Sequence, residues 1–354
     1  MRAGKILSTG LTIAVLSAGL FLYTGCGASE SGNTSSSDTQ TEDPSGEEPA
    51  EATPEPTPDP AAALEGVVPE KPVAEKDIYP KTKISWTAVD EATGYHVFRA
   101  GKADGDYKEI GTTGKTAYVD KKAKPRKTYY YKVQAAKESD GVEALSELSE
   151  PEKIYIQPDE PKTVIVGECF ALALEKVKDK FPSYYEFIAR GGMTTDSIMN
   201  NNSFDYNGSS VTALEKAAMY QPDRVIFLVG ANNSGHTDPK KSANNFIKMH
   251  KSMKKINPHV QFVVLAVSPW NENGTNGRRM TSHEKRHAIN RAYKAVGESY
   301  DGIWYCPLTL DLEDESGNLI GKFNGGDGLH WSLYARDYMA DKLQKWLKET
   351  FGTA

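Results

Sequence analysis

The run Thr163-Val164-Ile165-Val166-Gly167-Glu168-Cys169 leads directly into Phe170-Ala171-Leu172-Ala173-Leu174-Glu175-Lys176-Val177. Its first residues are apolar without alternation, as a strand covered on both faces requires. From Ala171 to Val177 the pattern turns helical. A buried strand that passes through a glycine into a helix is the repeating unit of an α/β sheet. The same alternation continues downstream. Apolar strands are expected at 184–189, 224–230, 260–267 and 302–308, and helices at 211–220, 242–256, 282–299 and 332–350. Right-handed crossovers then give a three-layer, doubly wound parallel sheet over residues 162–354. Residues 309–322, centred on Glu315-Ser316-Gly317-Asn318, read as a hairpin or loop inserted before the last helix.

In such sheets the reactive groups gather beyond the carboxyl ends of the strands. Four polar sets fall there: Gly167-Glu168-Cys169, Gly191-Gly192, Gly230-Ala231-Asn232-Asn233 and Asp327-Gly328-Leu329-His330. In order and spacing they resemble the SGNH (GDSL-type) hydrolases, whose four blocks are Gly-Asp-Ser, a glycine, Gly-x-Asn and Asp-x-x-His. The resemblance implies an ester hydrolase with Cys169 at the nucleophile, His330 as base and Asp327 as its orienting carboxylate. It also implies an oxyanion hole formed by Cys169, Gly192 and Asn232. Asn233, His236 and Trp270 are candidates for the substrate rim. The roles are physically coherent, because a helix N-terminus favours negative charge at its first residue and an imidazole held by a carboxylate can move the nucleophile's proton.

Two departures stand out. Glu168 replaces the family's Asp, and Cys169 replaces its Ser. A thiol beside a histidine and a helix N-terminus is expected to be acidified and nucleophilic. The expected reaction is removal or transfer of a small acyl group on a carbohydrate or cell-wall polymer. The competing reading is a catalytically inactive binding module of the same fold. No metal-ligand spacing, phosphate loop or dinucleotide fingerprint is present in the sequence, so no metal and no cofactor are expected. The basic stretch Arg278 to His287 reads as a solvated face.

Upstream the period changes to two. Short runs such as Lys83-Ile84-Ser85-Trp86, Gly94 to Arg99, Tyr107 to Ile110, Ala117 to Asp120 and Thr128 to Ala135 are separated by turn clusters, indicating a β-sandwich over 77–158. Trp86 and Tyr129 resemble the core tryptophan and the tyrosine corner of a fibronectin type III domain. The bland expectation for it is a spacer.

Residues 26–76 are rich in Ser, Thr, Pro and acidic side chains, and are expected to form a disordered tether. Eleven of the chain's 48 acidic residues, and no Lys or Arg, lie between Gly27 and Glu70. The net charge of −6 is therefore concentrated there, and no basic face suited to nucleic acid emerges. Arg2, Lys5 and the apolar run Ile6 to Leu22 read as a signal peptide over 1–25. Tyr23-Thr24-Gly25-Cys26 resembles a lipobox, which implies lipidation of Cys26 and an extracytoplasmic, membrane-anchored protein. Of the three cysteines, none has framework or metal-type spacing.

Overall fold

A computed structural model describes residues 64–353 except Lys81, His236 and residues 273–280. The expected signal peptide, Cys26, most of the tether and His236 lie outside the described residues.

The first part is a two-sheet β-sandwich. Strands β1 (Val73–Lys76), β2 (Thr82–Ser85) and β5 (Ala117–Asp120) form one antiparallel sheet. Strands β3 (Gly94–Ala100), β4 (Lys108–Thr113), β6 (Lys127–Ser139) and β7 (Val142–Leu145) form the other, in the order β4-β3-β6-β7. Strand β8 (Glu152–Ile156) pairs with the start of β6. Inward residues of alternating strands, Ile84, Val97, Tyr131, Val133 and Ile156, are fully buried between the sheets. Trp86 packs edge-on against Tyr95 in that core. The backbone N–H of Lys124 donates to the Tyr129 hydroxyl at 3.3 Å, which closes the tyrosine corner. This all-β region resembles fibronectin type III domains, as its two aromatics indicate.

Its amino boundary differs from expectation. The tether was placed through residue 76, yet Leu64 is fully buried in the sandwich core and β1 adds a strand at 73–76. The backbone N–H of Glu147 also donates to the Val67 carbonyl. The few apolar residues involved are diluted by surrounding Pro and Glu, so average composition hides a segment whose individual side chains pack.

From Thr163 the chain builds a five-stranded sheet of β9 (Thr163–Gly167), β10 (Tyr185–Ala189), β13 (Arg224–Leu228), β14 (Gln261–Leu265) and β15 (Ile303–Cys306). The order is β10-β9-β13-β14-β15, and every neighbouring pair is parallel. Every residue of β9 and β13 is buried, which explains why both are apolar after their first residues, Thr163 and Arg224. Successive side chains pack on opposite faces. Val164, Val166, Phe227 and Val264 meet α3 (Ala213–Met219), α4 (Pro239–Met253) and α5 (His283–Ser299) on one side. Ile165, Ile226, Leu228 and Val263 meet α1 (Cys169–Glu175) and α6 (Leu333–Phe351) on the other. Each large side chain removed from water there contributes roughly 2 kcal/mol. The domain is an SGNH hydrolase-like α/β fold with helices on both faces. A short helix, α2 (Ser197–Asn200), and a hairpin of β11 (Phe204–Tyr206) and β12 (Ser209–Val211) turning at Asn207-Gly208 were not foreseen. Both are too short to carry a period.

The sandwich is docked at the amino end of this sheet. The Arg126 guanidinium grips Asp223, the residue before β13, with Nε and Nη2 at 3.0 and 2.7 Å. Asp223 also accepts the Lys162 backbone N–H at 2.8 Å. The rings of Tyr155 and His259 stack 3.7 Å apart, and Gln261 donates to Gln157.

Candidate active site

The opposite, carboxyl end of the sheet holds the four polar sets. The order reverses between β9 and β13, which makes their ends the switch point of the fold. Gly167 ends β9 because nothing larger fits: a Cβ there would lie 2.1 Å from the Leu228 carbonyl oxygen. The chain then turns so that Cys169 is the first residue of α1, with Glu168 as its N-cap residue.

Glu168 does not cap the helix with its side chain. Its carboxylate crosses to the loop after β13, accepting the N–H of Ala231 at 2.8 Å, the N–H of Asn232 at 3.2 Å and the Asn232 side-chain amide. The residue is 1% exposed. Burial pushes its carboxyl up to about 7, against the opposing pull of those N–H donors. In sequence Glu168 is only the family's Asp lengthened by one methylene. It is instead the link between the first and third blocks, and its partners lie more than sixty residues away, where no local pattern reveals them.

Asp327 and His330 form a pair. Asp327 Oδ2 binds His330 Nδ1, while its Oδ1 accepts the backbone N–H groups of His330 at 2.8 Å and Leu329 at 3.0 Å. Burial works to raise the Asp327 carboxyl, but the hydrogen bonds from His330 and the two backbone N–H groups outweigh it and hold it down at about 2. The carboxylate is therefore ionised at any working pH. His330 Nε2 has no hydrogen-bond partner among the described residues. The turn is rigid, because the Asn324 side chain accepts the N–H groups of Gly326 and Gly328 and the Gly325 N–H donates to the His330 carbonyl.

Cys169 is partly exposed and free. Its thiol is not acidified as expected. Burial pushes it up to about 12, the charges of Glu168 and Asp327 add to that, and the backbone N–H groups of Phe170 and Cys169 only partly compensate. No hydrogen bond joins it to His330 among the described residues. The helix N-terminus is present, but two carboxylates and desolvation outweigh it. Gly192 adopts φ +77° and is exposed, with open space around its Cα. The Asn232 amide is held by Glu168 and by a weaker contact of 3.4 Å to the Met193 carbonyl.

Two rim candidates are corrected. Trp270 is fully buried, with Nε1 donating to the Thr281 carbonyl and the Arg286 guanidinium over its ring. Asn233 is also fully buried. It accepts the Thr195 N–H at 3.1 Å and donates to the hydroxyls of Thr195 and Ser242, which fastens the loop after Gly192 to the loop bearing Asn232. Both are scaffold, and neither can meet a substrate. The basic stretch is likewise not simply a solvated face, since Arg286 is fully buried in a two-pronged pair with Glu313 at 2.9 and 2.8 Å.

With this geometry in view, residues 173–333 match the GDSL-like Lipase/Acylhydrolase family. This stretch of the α/β domain is thus similar to GDSL-type lipases and acylhydrolases. The match includes Gly192, Asn232, Asp327 and His330, and begins four residues after Cys169. Among solved structures, a GDSL-like lipase from Bacteroides thetaiotaomicron is 16% identical over 54% of this chain and 89% of its own, with a TM-score of 0.45. A human fibronectin type III domain is 25% identical over 28% of this chain and 77% of its own, with a TM-score of 0.23. No curated protein matches the chain. Among the described residues, no group of three or more His, Cys, Asp or Glu side chains is placed to hold a metal ion.

Proposed function

We propose that the GDSL-type domain is an esterase in which Cys169, His330 and Asp327 remove a small acyl group from a hydroxyl of a surface carbohydrate. The observation that carries this reading is the Asp327–His330 pair. A carboxylate fixed by two backbone N–H groups holds one imidazole nitrogen and leaves the other unbonded, at the sheet end where Cys169 heads a helix.

With the thiol protonated at rest, His330 serves as general base during attack, as it would toward a hydroxyl. Sγ bonds to the acyl carbon while its proton passes to His330 Nε2. The carbonyl oxygen takes the negative charge, facing the N–H groups of residues 169 and 192, with the Asn232 amide joining them once it leaves the Met193 carbonyl it holds at 3.4 Å. Collapse breaks the ester C–O bond, and the departing alkoxide takes the proton from His330. Water, deprotonated by the same nitrogen, then cleaves the thioester and restores the thiol. Asp327 stabilises the imidazolium in both halves. The extracytoplasmic location and the anchor at Cys26 belong to this proposal, and place the substrate at the cell envelope.

The test is turnover of 4-nitrophenyl acetate by the full chain, beside Cys169→Ala and Cys169→Ser. Loss in the alanine variant, with an acyl adduct on Cys169 of the parent by mass spectrometry, supports the reading. Undiminished turnover in Cys169→Ala overturns it. Activity confined to Cys169→Ser makes the native domain a disabled hydrolase scaffold.

A further inference from the structure

Resting on that reading, we infer that Tyr334 is a substrate-binding residue, forming with Leu333 and Lys322 a platform for the sugar ring that carries the ester. The argument starts from where the leaving group must lie. In ester cleavage the base that deprotonates the nucleophile hands its proton to the departing oxygen, so the alcohol half of the substrate sits on the His330 side. What flanks His330 there is the start of α6. Leu333 and Tyr334 are its first two residues, and they are 72% and 54% exposed.

Exposure alone would be unremarkable for one apolar side chain. The ring of Tyr334, however, is fixed. It stacks on Phe323 with centroids 5.6 Å apart and planes 14° apart, and Phe323 is itself buried. Phe323 belongs to the turn that precedes the Asp327 loop, and that turn is tied to the helix start. The Ser332 N–H donates to the Phe323 carbonyl and the Ser332 hydroxyl to the Lys322 carbonyl, both at 2.8 Å. Base and aromatic ring therefore sit on one rigid unit. Lys322 Nζ lies over the rings, 4.9 Å from the Phe323 centroid and 5.9 Å from that of Tyr334, which adds a cationic donor to the stack.

A flat, exposed ring with a phenolic hydroxyl and an ammonium beside it suits a ligand with a C–H face and hydroxyl edges. That describes a pyranose. A long acyl chain asks for a concave apolar channel, and it belongs on the other side of the scissile bond.

The experiment compares Tyr334→Ala and Tyr334→Phe with the parent on acetylated xylo- and cello-oligosaccharides and on 4-nitrophenyl esters of two to eight carbons. The expected result is a rise of about tenfold in KM for the sugar esters in Tyr334→Ala, in line with one lost aromatic contact. Tyr334→Phe keeps the stacking face and should lose less than Tyr334→Ala, and the rise in KM should be smaller for 4-nitrophenyl acetate, which carries no sugar, than for the sugar esters. A uniform change on all esters, or a loss that grows with acyl length, overturns the assignment. NMR titration of the full chain with unacetylated xylo-, cello- and chito-oligosaccharides reads the platform without turnover. If the parent hydrolyses nothing but binds one of these through Tyr334, the esterase reading fails and the platform stands. If no sugar binds, the platform fails.

Discussion

His96 in the sandwich lies between two carboxylates, with Nδ1 3.1 Å from Glu109 and Nε2 3.0 Å from Glu143. His330 has one carboxylate, Asp327 on Nδ1, and no partner on Nε2 among the described residues. Both rings are oriented by acids, yet only the second keeps a nitrogen for chemistry. The contrast extends to the regions around them. At the amino end of the α/β sheet, Arg126, Asp223, Tyr155 and His259 satisfy one another across the seam. At the carboxyl end, His330 Nε2 and the N–H group of Gly192 have no bonded partner among the described residues, and the N–H group of Cys169 meets only its own thiol. Unused bonding capacity on fixed groups, rather than polarity itself, separates a reaction centre from a structural network.

The contrast breaks most visibly at the carboxylate of the pair. Asp327→Asn keeps the shape of the turn but replaces an anion with an amide that cannot stabilise the imidazolium. Turnover of 4-nitrophenyl acetate should fall by about 10³ to 10⁴, with little change in melting temperature. A fall under tenfold would show that His330 does not work through Asp327. The thiol provides the next largest effect. With burial holding its thiol well above the ordinary range, Cys169 should react with iodoacetamide near pH 8 at least about tenfold more slowly than an ordinary thiol, the smaller thiolate fraction being only partly offset by the greater nucleophilicity of a more basic thiolate. Alkylation at the rate of a free cysteine would mean that His330 had taken its proton and that the resting site is an ion pair.

Much of this was legible beforehand for identifiable reasons. Strand β9 was read at its observed bounds because a strand buried on both faces leaves no ambiguity of period, and Asp327 and His330 because the motif is local. The errors share a cause. Trp270 is expected at a rim because an aromatic after the fourth strand suits a sugar ring, but the Arg286 guanidinium and the Thr281 carbonyl take up its ring and its Nε1. Asn233 was misplaced because Thr195 and Ser242 come to it from two other elements. The acidified thiol is expected from a neighbouring histidine and the helix N-terminus, whereas burial, the largest opposing effect, and then the charge of Glu168 depend on how the fold encloses the site. Sequence pattern shows which groups reach the end of the sheet. It does not show which of them the fold will occupy.

The seam offers the third test. Arg126→Ala leaves Asp223, a nearly buried carboxylate, with only the Lys162 N–H. Because the guanidinium is partly exposed, the loss should be smaller than for a fully buried pair, about 2 kcal/mol. Denaturant unfolding checks it, and Asp223→Asn combined with Arg126→Ala should recover part of the loss. Esterase turnover should stay unchanged, since the seam lies at the other end of the sheet. A change in turnover larger than about threefold would mean that the sandwich reaches the site, and the two ends could no longer be treated separately.

His96 itself gives the smallest effect. Burial works to lower its imidazole, but the hydrogen bonds that its ring N–H groups donate to Glu143 and Glu109, with the charge of those carboxylates, outweigh that and raise it above the ordinary 6.5. A raised folded value means that the proton is held more tightly in the folded chain. The stabilisation is therefore complete below pH 6.5 and disappears as pH rises through the folded value. Both glutamates are about half exposed, so the contribution should be no more than about 1 kcal/mol. His96→Gln should remove that slope from a stability–pH profile while leaving turnover untouched. The corresponding His330→Gln should leave stability nearly level and abolish turnover. If instead His96→Gln costs as much at pH 9 as at pH 5, the ring acts by packing against Phe98, and the two histidines differ in more than their count of carboxylates.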